Sequence, residues 1–108
     1  MFITTLPTFR EAVDDILPLD TVYCLLAHQL EAGQVIASHF HDAAHEWVIV
    51  DERGEINVRY DTQWNEMSVG KGVVTVIHFP PKIIHGLEAK TSLKYFVIRS
   101  SKAVTHYL

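Results

Sequence analysis

The segment SHFHDAAHEW, residues 38–47, contains three histidines and one glutamate. His39 and His41 are separated by one residue, and on a β-strand two such side chains leave the same face of the sheet. Glu46 begins the next apolar run, EWVIV, which has the composition of a strand, and the short turn between them makes this strand the expected hairpin neighbour of the first. Imidazole and carboxylate groups that converge on one ion suit iron, manganese, zinc, nickel or copper. The segment therefore indicates either a histidine-rich surface loop or a site for one divalent transition metal ion, and the rest of the sequence decides between them.

Length and composition indicate one globular domain. The chain has 108 residues, of which 48% are hydrophobic and 20% are charged, and it contains only five glycines. This length is enough for one hydrophobic core and too short for two. We expect a single domain over residues 1–108, with an N-terminal arm and helix at residues 1–18 and a β region at about residues 20–100.

Charge and hydropathy exclude several classes of partner. The net charge is −4 and the basic residues form no run, whereas nucleic-acid binding needs a clustered basic surface. The longest apolar stretches, such as residues 73–77, are far too short to span a membrane. The N-terminal sequence has no basic start followed by an apolar block, so we expect no secretory signal and a cytoplasmic location. The single cysteine cannot form an internal disulfide.

One short helix is predicted near the N-terminus. Thr8 and Glu11 have the spacing of a capping box, in which the threonine hydroxyl accepts a hydrogen bond from the backbone amide three residues later. The apolar side chains that follow share one helical stripe and are Phe9, Val13, Ile16 and Leu17. Pro18 cannot continue a helix, so we expect the helix to end there.

The rest of the chain is predicted to be β-structure. About seven or eight short runs of β-forming residues are separated by turn signals, which is typical of an antiparallel sandwich or barrel. The predicted strands are TVYCLLAHQL, QVIASHFH, EWVIVDE, INVRY, VVTVIHF, IIHGLEA and SLKYFVIR. Residues 61–72, DTQWNEMSVGKG, are polar and contain two glycines, so they are predicted to form a loop. A fourth metal ligand is available in His85, which follows a proline break.

The spacing around the first histidines resembles the first motif of the cupins. That motif reads glycine, five residues, His-x-His, three or four residues, glutamate, about six residues and glycine. Five residues separate Gly33 from His39, and four separate His41 from Glu46. Seven residues then separate Glu46 from Gly54, one more than in the motif. The resemblance covers about residues 20–100 and implies an all-β fold, a cupin-type antiparallel jelly-roll β-barrel with a short N-terminal helix.

The second cupin motif, Pro-x-Gly-x-x-His followed by asparagine, is similar to the segment around His85. Pro80 stands five residues before His85, as the motif requires. Lys82 stands in place of the glycine and Ala89 in place of the asparagine, which puts the shape of the turn in question but not the histidine. The resemblance implies that the metal ligands are His39, His41, Glu46 and His85.

The remaining histidines have less support. His45 adjoins Glu46 and is predicted to point to the opposite face, although a bulged turn would let it replace Glu46 as a ligand. His28 and His78 lie inside predicted strands, where histidines are more often packing residues than ligands. Each is nevertheless a candidate acid or base, because its ordinary pKa lies near neutrality. Lys82, near the predicted mouth, is a candidate contact for an anionic substrate.

The aromatic side chains are expected to serve mainly as core or interface residues, with one or two forming an apolar wall beside the metal. They are Trp47, Phe40, Phe79, Tyr95 and Phe96.

Three functions fit such a site. The first is a metal-dependent enzyme with oxygenase- or isomerase-type chemistry on a small polar organic molecule. The second is a non-catalytic cupin that binds or senses a metal or small ligand. The third is a sugar- or phosphosugar-modifying cupin, which several pocket-facing basic side chains would favour; the strand region has only Arg53, Arg59 and Arg99.

The apolar residues also predict association. Both faces of EWVIV and TVIHF carry large apolar side chains, and one face of each strand needs a cover outside the barrel. The N-terminal arm, with Phe2, Ile3 and Leu6, looks suited to a partner surface. We therefore expect a symmetric homodimer.

Overall fold

A computed structural model of the chain describes residues 2–16 and 24–108. It contains one short helix and ten strands in the described ranges, which confirms the mostly β prediction with an N-terminal helix. The elements are β1 (Ile3–Leu6), α1 (Phe9–Ile16), β2 (Cys24–Leu30), β3 (Val35–His41), β4 (Glu46–Val50), β5 (Gly54–Tyr60), β6 (Gln63–Val69), β7 (Val74–Phe79), β8 (His85–Ala89), β9 (Leu93–Arg99) and β10 (Thr105–Tyr107). None of the described helical residues forms a helix long and apolar enough to cross a membrane.

The strands form two five-stranded antiparallel sheets. The first has the order β1-β7-β4-β9-β2 and the second the order β10-β3-β8-β5-β6. The main core lies between them, where Val48 and Ile77 of the first sheet meet Ile56, Val58 and Leu87 of the second. Alternate residues of each strand face this core, because side chains of a strand point alternately to its two faces.

The helix begins as the capping box predicts. The backbone amide of Glu11 donates a hydrogen bond to Thr8 Oγ1 over 3.2 Å, which satisfies one of the amide donors left open at a helix N-terminus. The helix is described through Ile16. Leu17 and Pro18, predicted to complete and end it, lie outside the described residues.

The N-terminal segment was expected to contact a partner, and its described residues instead pair with and pack on their own chain, so that contact with a partner stays a prediction. Ile3–Leu6 forms β1, which pairs with β7 of its own chain, so that Ile3 lies opposite Ile77. Phe2 stacks on Tyr60 with 4.3 Å between ring centroids. The segment is thus hydrogen-bonded to a sheet of its own chain, and its aromatic ring packs on the same chain.

The outer face of the first sheet is covered by the same chain. Ala12 of α1 is fully buried against Trp47, Ile49 and Val76, and Phe9 packs on the face beside them. The apolar residues that seemed to need a partner are therefore covered by α1. The homodimer stays a prediction, but it no longer follows from a need to cover these apolar side chains.

After residue 60, two strands lie in segments where the sequence predicted no strand. The predicted loop of residues 61–72 contains β6, which pairs with β5 along all seven of its residues. β6 is an edge strand whose side chains are mostly solvent-exposed, so its polar composition resembles that of a loop. Near the C-terminus, β10 pairs with β3, opposite the segment His39–His41.

The turn that follows β6 provides a matched test of this fold. Gly70 and Gly72 both have positive φ, 67° and 70°, but a Cβ on Gly70 would lie 2.0 Å from the carbonyl oxygen of Glu52, whereas one on Gly72 meets no atom within 4 Å. Gly72→Ala should cost about 1 kcal/mol, from the left-handed backbone alone. Gly70→Ala should cost about 2–3 kcal/mol more, from the added steric overlap. Urea denaturation of the purified variants measures both.

If Gly70→Ala is insoluble while Gly72→Ala is soluble, the result also supports a close approach of Gly70 to Glu52. Equal losses of stability would contradict the close approach of this turn to Glu52.

Candidate metal centre

Three histidines converge because of strand pairing in the second sheet. His39 and His41 lie on β3 and share its inner face, while Phe40 between them stacks on His106 on the other face. His85, the first residue of β8, is paired directly with His39. A register shift in β3 between Ile36 and His39 produces this pairing. The bulge therefore helps to bring the three imidazoles together.

The carboxylate comes from the other sheet. Glu46 is the first residue of β4, which pairs with β7 and β9, whereas β3 pairs with β8 and β10. The sequence interpretation placed Glu46 on the hairpin neighbour of β3, and that is wrong. Residues 42–45 instead carry the chain from one sheet to the other. The four side chains thus span the space between the sheets.

The four candidate ligands form one compact, buried cluster. Their ligand atoms all lie within 4.8 Å of one another. Glu46 Oε1 is 3.4 Å from His41 Nε2, and Glu46 Oε2 is 3.2 Å from His85 Nε2. None of the four residues is more than 6% exposed. The structure therefore brings His39, His41, Glu46 and His85 together, as the motif predicted.

Backbone carbonyls orient two of the imidazoles. His39 Nδ1 donates to the carbonyl oxygen of Ala37 over 2.7 Å, and His85 Nδ1 donates to that of Ile83 over 3.0 Å. With the proton on Nδ1, Nε2 keeps the lone pair that a metal ligand needs.

Two buried imidazole nitrogens lack a hydrogen bond. His41 Nε2 and His85 Nε2 have none with any group in the described part of the chain. A buried polar atom without a partner costs about 1–3 kcal/mol, so an orphaned pair indicates a missing ligand. A divalent transition metal fits both the orphaned nitrogens and the three-imidazole, one-carboxylate donor set.

The environment keeps two of the candidate ligands, Glu46 and His39, in the forms that can bind a metal. Burial acts to raise the pKa of Glu46, but His41 and His85, when they carry a proton on Nε2, and Arg99 outweigh burial and hold that pKa well below its usual range. With those two nitrogens unprotonated, as coordination requires, Arg99 and the bound metal would keep the carboxylate ionised. Burial lowers the pKa of His39. The carboxylate is therefore ionised and the His39 imidazole neutral at neutral pH, as coordination requires.

Arg99 is a site residue that the motif did not predict. It lies opposite Glu46 in the β4–β9 pairing, and its Nε donates to Glu46 Oε1 over 2.8 Å. Its position follows from strand parity, because Tyr95, Val97 and Arg99 alternate along β9 and all three line the same cavity. Alternation within the strand SLKYFVIR was the available signal, but only the pairing with β4 shows that Arg99 meets Glu46.

The cluster opens onto a cavity of about 290 Å³. Phe79 forms part of its wall and stacks on His85 with 4.4 Å between ring centroids, and Tyr95 forms another part. Two of the five aromatic candidates thus line the cavity. The lining residues are His28, Gln29, Leu30, Ile36, His39, Glu46, Val48, Ile77, Phe79, His85, Gly86, Leu87, Tyr95, Val97, Arg99, Thr105 and Tyr107.

The two candidate acid–base histidines lie in different places. His28 lines the cavity and stacks on Tyr95 with 5.5 Å between ring centroids. His78 is opposite Trp47 on the outer face of the first sheet, where its ring stacks on the indole at 5.0 Å. This geometry gives no support to His78 as a pocket residue, because Phe79 beside it takes the inward position.

His45 also lies on the outer side. Its Nδ1 is 2.9 Å from His78 Nε2, and its ring stacks on Trp47. Glu46, and not His45, reaches the cluster.

Lys82 serves the turn rather than the cavity. Its side chain is exposed and is not among the lining residues. Its φ is 69°, the left-handed conformation for which glycine is best suited, and its amide donates to the carbonyl oxygen of His41 over 2.7 Å. The turn therefore keeps the backbone shape of a glycine at this position.

Comparison with known proteins supports the fold. No protein-family profile and no curated protein matches the chain. Among solved structures, a cupin 2 domain-containing protein from Halorhodospira halophila has a TM-score of 0.66 at 16% identity over 98% of this chain and 68% of that one. The capsular polysaccharide assembling protein CapF from Staphylococcus aureus has a TM-score of 0.63 at 19% identity over 78% of this chain.

Salicylate 1,2-dioxygenase from Pseudoaminobacter salicylatoxidans has a TM-score of 0.58 at 19% identity over 77% of this chain. The chain spans 26% of the length of CapF and 24% of the length of this dioxygenase, so it is similar to one part of each. These likenesses and the two antiparallel sheets show that the chain has the cupin fold, the double-stranded β-helix.

Metal analysis of variants tests the cluster. Protein purified without added metal or chelator should contain close to one transition-metal ion per chain. His39→Ala and His85→Ala should each remove most of it, and Glu46→Ala should remove less because three imidazoles remain. His45→Ala, next to Glu46 but on the outer side, is the matched control and should change little. Elemental analysis of the purified proteins measures each result.

Full metal content in both the His39 and the His85 variants would refute the assignment. A larger loss of metal from His45→Ala than from Glu46→Ala would mean that His45, and not Glu46, is the metal ligand.

Proposed function

We propose that the chain is a metal-dependent enzyme that acts on a small polar organic molecule by oxygenase- or isomerase-type chemistry. His39, His41, Glu46 and His85 would hold the metal. The observation that supports this proposal most directly is the buried cluster of three histidines and one glutamate, with two orphaned Nε2 atoms, at the wall of a cavity. A metal bound there would polarise or activate an oxygen ligand.

The residues around the cluster are suited to substrate binding. The apolar side chains of Val48, Ile77, Phe79 and Leu87 exclude water from much of the cavity wall. A low-dielectric environment strengthens polar interactions with a bound molecule. Arg99 holds the Glu46 carboxylate in place through its Nε hydrogen bond.

Two cavity residues have candidate roles in handling protons. Burial, and secondly the charge of Glu46, raises the pKa of Tyr95 to about 12. Tyr95 therefore stays protonated at neutral pH and is suited to donate a hydrogen bond rather than to act as a base. His28, which stacks on Tyr95, is the candidate acid or base.

The alternatives have less support. A sugar- or phosphosugar-modifying cupin would be favoured by several basic groups in the cavity, and Arg99 alone carries a permanent positive charge among the described lining residues. A non-catalytic binding or sensing protein would use the same metal site, so only an activity measurement separates it from an enzyme. We retain a cytoplasmic location and a homodimer as proposals.

Untargeted substrate profiling tests the proposed activity. Protein loaded with its native metal is incubated with a small-molecule extract of a bacterium, and the mixture is followed by mass spectrometry. We expect one compound to be depleted and a product to accumulate, with the mass of added oxygen for an oxygenase or an unchanged mass for an isomerase. His39→Ala should abolish the conversion, whereas His45→Ala should not.

Absence of any metal-dependent conversion, with one compound nevertheless retained on the loaded protein, would contradict the enzyme and favour the binding protein. Equal conversion by His39→Ala would contradict a role for the metal.

A further inference from the structure

Arg99 has hydrogen-bonding capacity that the described residues do not use. Its Nε donates to Glu46, while its terminal amino groups make no hydrogen bond or ion pair with any other described residue. The side chain lines the cavity and is 26% exposed. An arginine side chain has five N–H donors in a fixed planar arrangement, so four of them stay available to a bound molecule or to water.

The charge of the cavity favours an anion. Glu46 and Arg99 are the permanently charged groups among its described lining residues, and their charges cancel. A divalent metal on the neutral imidazoles and Glu46 would leave two net positive charges in a largely apolar enclosure. Electrostatic attraction is stronger there than in water, so an anionic ligand is favoured over a neutral one of the same shape.

The rest of the cavity limits the size and polarity of that ligand. Its volume of about 290 Å³ is at the lower end of the range of small-molecule sites, roughly 300–1,000 Å³. Much of the wall is apolar, from side chains such as Ile36, Val48 and Val97. A compact molecule with an apolar body and one charged end matches this lining.

We propose that Arg99 recognises a carboxylate group of the substrate, so that the site takes small carboxylic acids with a compact apolar body. This inference rests on the proposed function, since it assigns the substrate class of the same site. Guanidinium and carboxylate groups are both planar and pair through two parallel hydrogen bonds. A phosphate would be expected to meet more than one basic side chain, and Arg99 is the single arginine or lysine among the described lining residues.

The position of Arg99 also determines where the acid would lie. Its Nε is bonded to the same Glu46 oxygen that lies 3.4 Å from His41 Nε2. A carboxylate held by the terminal amino groups would therefore lie next to the histidine cluster. The groups adjoining that carboxylate would be the part of the molecule nearest to the metal ligands.

Calorimetric titration of zinc-loaded protein tests the proposal with matched probes. Acetate and benzoate are compared with acetamide and benzamide, which have nearly the same shapes but no charge. At least one of the two acids should bind about tenfold or more tightly than its amide. Arg99→Gln should weaken binding of that acid by about tenfold or more, as expected for loss of charge-assisted hydrogen bonds, and should leave its amide nearly unaffected.

Two variants serve as controls. Arg59→Gln makes the same change of charge at an arginine that bonds Asp61 and Ser38 and does not line the cavity, so it should bind the acid like the unmodified protein. Arg99→Lys keeps the positive charge but loses the planar pair of donors, so its affinity should be intermediate.

Zinc content, measured on every sample, separates this proposal from the proposed function. If the unmodified protein fails to take up zinc, the titration of metal-free protein still tests Arg99, and the metal assignment is decided by elemental analysis of protein purified without added metal. If Arg99→Gln alone loses zinc, the comparison is made between the metal-free proteins. Equal binding of acids and amides, or unweakened acid binding by zinc-loaded Arg99→Gln, would overturn the proposal.

Discussion

The buried carboxylate of Glu46 is the interaction on which the rest of the site depends. Leaving one ionised group buried without its partner costs about 3–5 kcal/mol, so the structure must supply partners from several strands. Arg99 of β9 donates to one of its oxygen atoms, and the Nε2 atoms of His41 of β3 and His85 of β8 lie 3.4 Å and 3.2 Å from the two, where a metal ion would join them to it. Glu46 itself begins β4, so four strands from two sheets meet at one side chain. Other features, including the register shift in β3 and the left-handed turn at Lys82, lie close to this meeting point.

The alternation of side chains along each strand separates the histidines into two groups. Residues that alternate inward from the two sheets reach the cluster, and their neighbours pack outside. Glu46 and Phe79 face the cavity, while Trp47 and His78, one residue away on each strand, stack on the outer face. His45 joins that outer stack. The parity of each strand therefore decides which histidines can bind a metal and which act as packing groups.

Local spacing carried much of the information needed to predict the ligands. Two histidines one residue apart share a strand face wherever the strand lies in the fold, and the proline break before His85 pointed to the fourth candidate ligand. The meeting of Arg99 with Glu46 could not be predicted in this way, because it depends on a pairing between residues 53 positions apart. The placement of the exposed His28 at the cavity wall and of His78 on the outer face likewise depends on how the sheets face each other.

The errors in predicting the fold have related causes. β6 has the polar composition of a loop because it is an exposed edge strand. The N-terminal segment has the apolar composition of an interface, and it packs on its own sheets as β1 and α1. In each case the amino-acid composition indicates whether a segment is exposed or buried, but it does not indicate which surface the segment contacts.

The central claim is that one metal ion is bound between the two sheets by three imidazoles and one carboxylate. Anomalous diffraction from crystals of protein purified without chelator, measured on both sides of the absorption edge of its metal, tests this claim directly. The account predicts one strong anomalous peak within about 2.0–2.3 Å of ligand atoms from His39, His41, Glu46 and His85. No peak there, or one coordinated by His45 and His78 on the outer face, would contradict it.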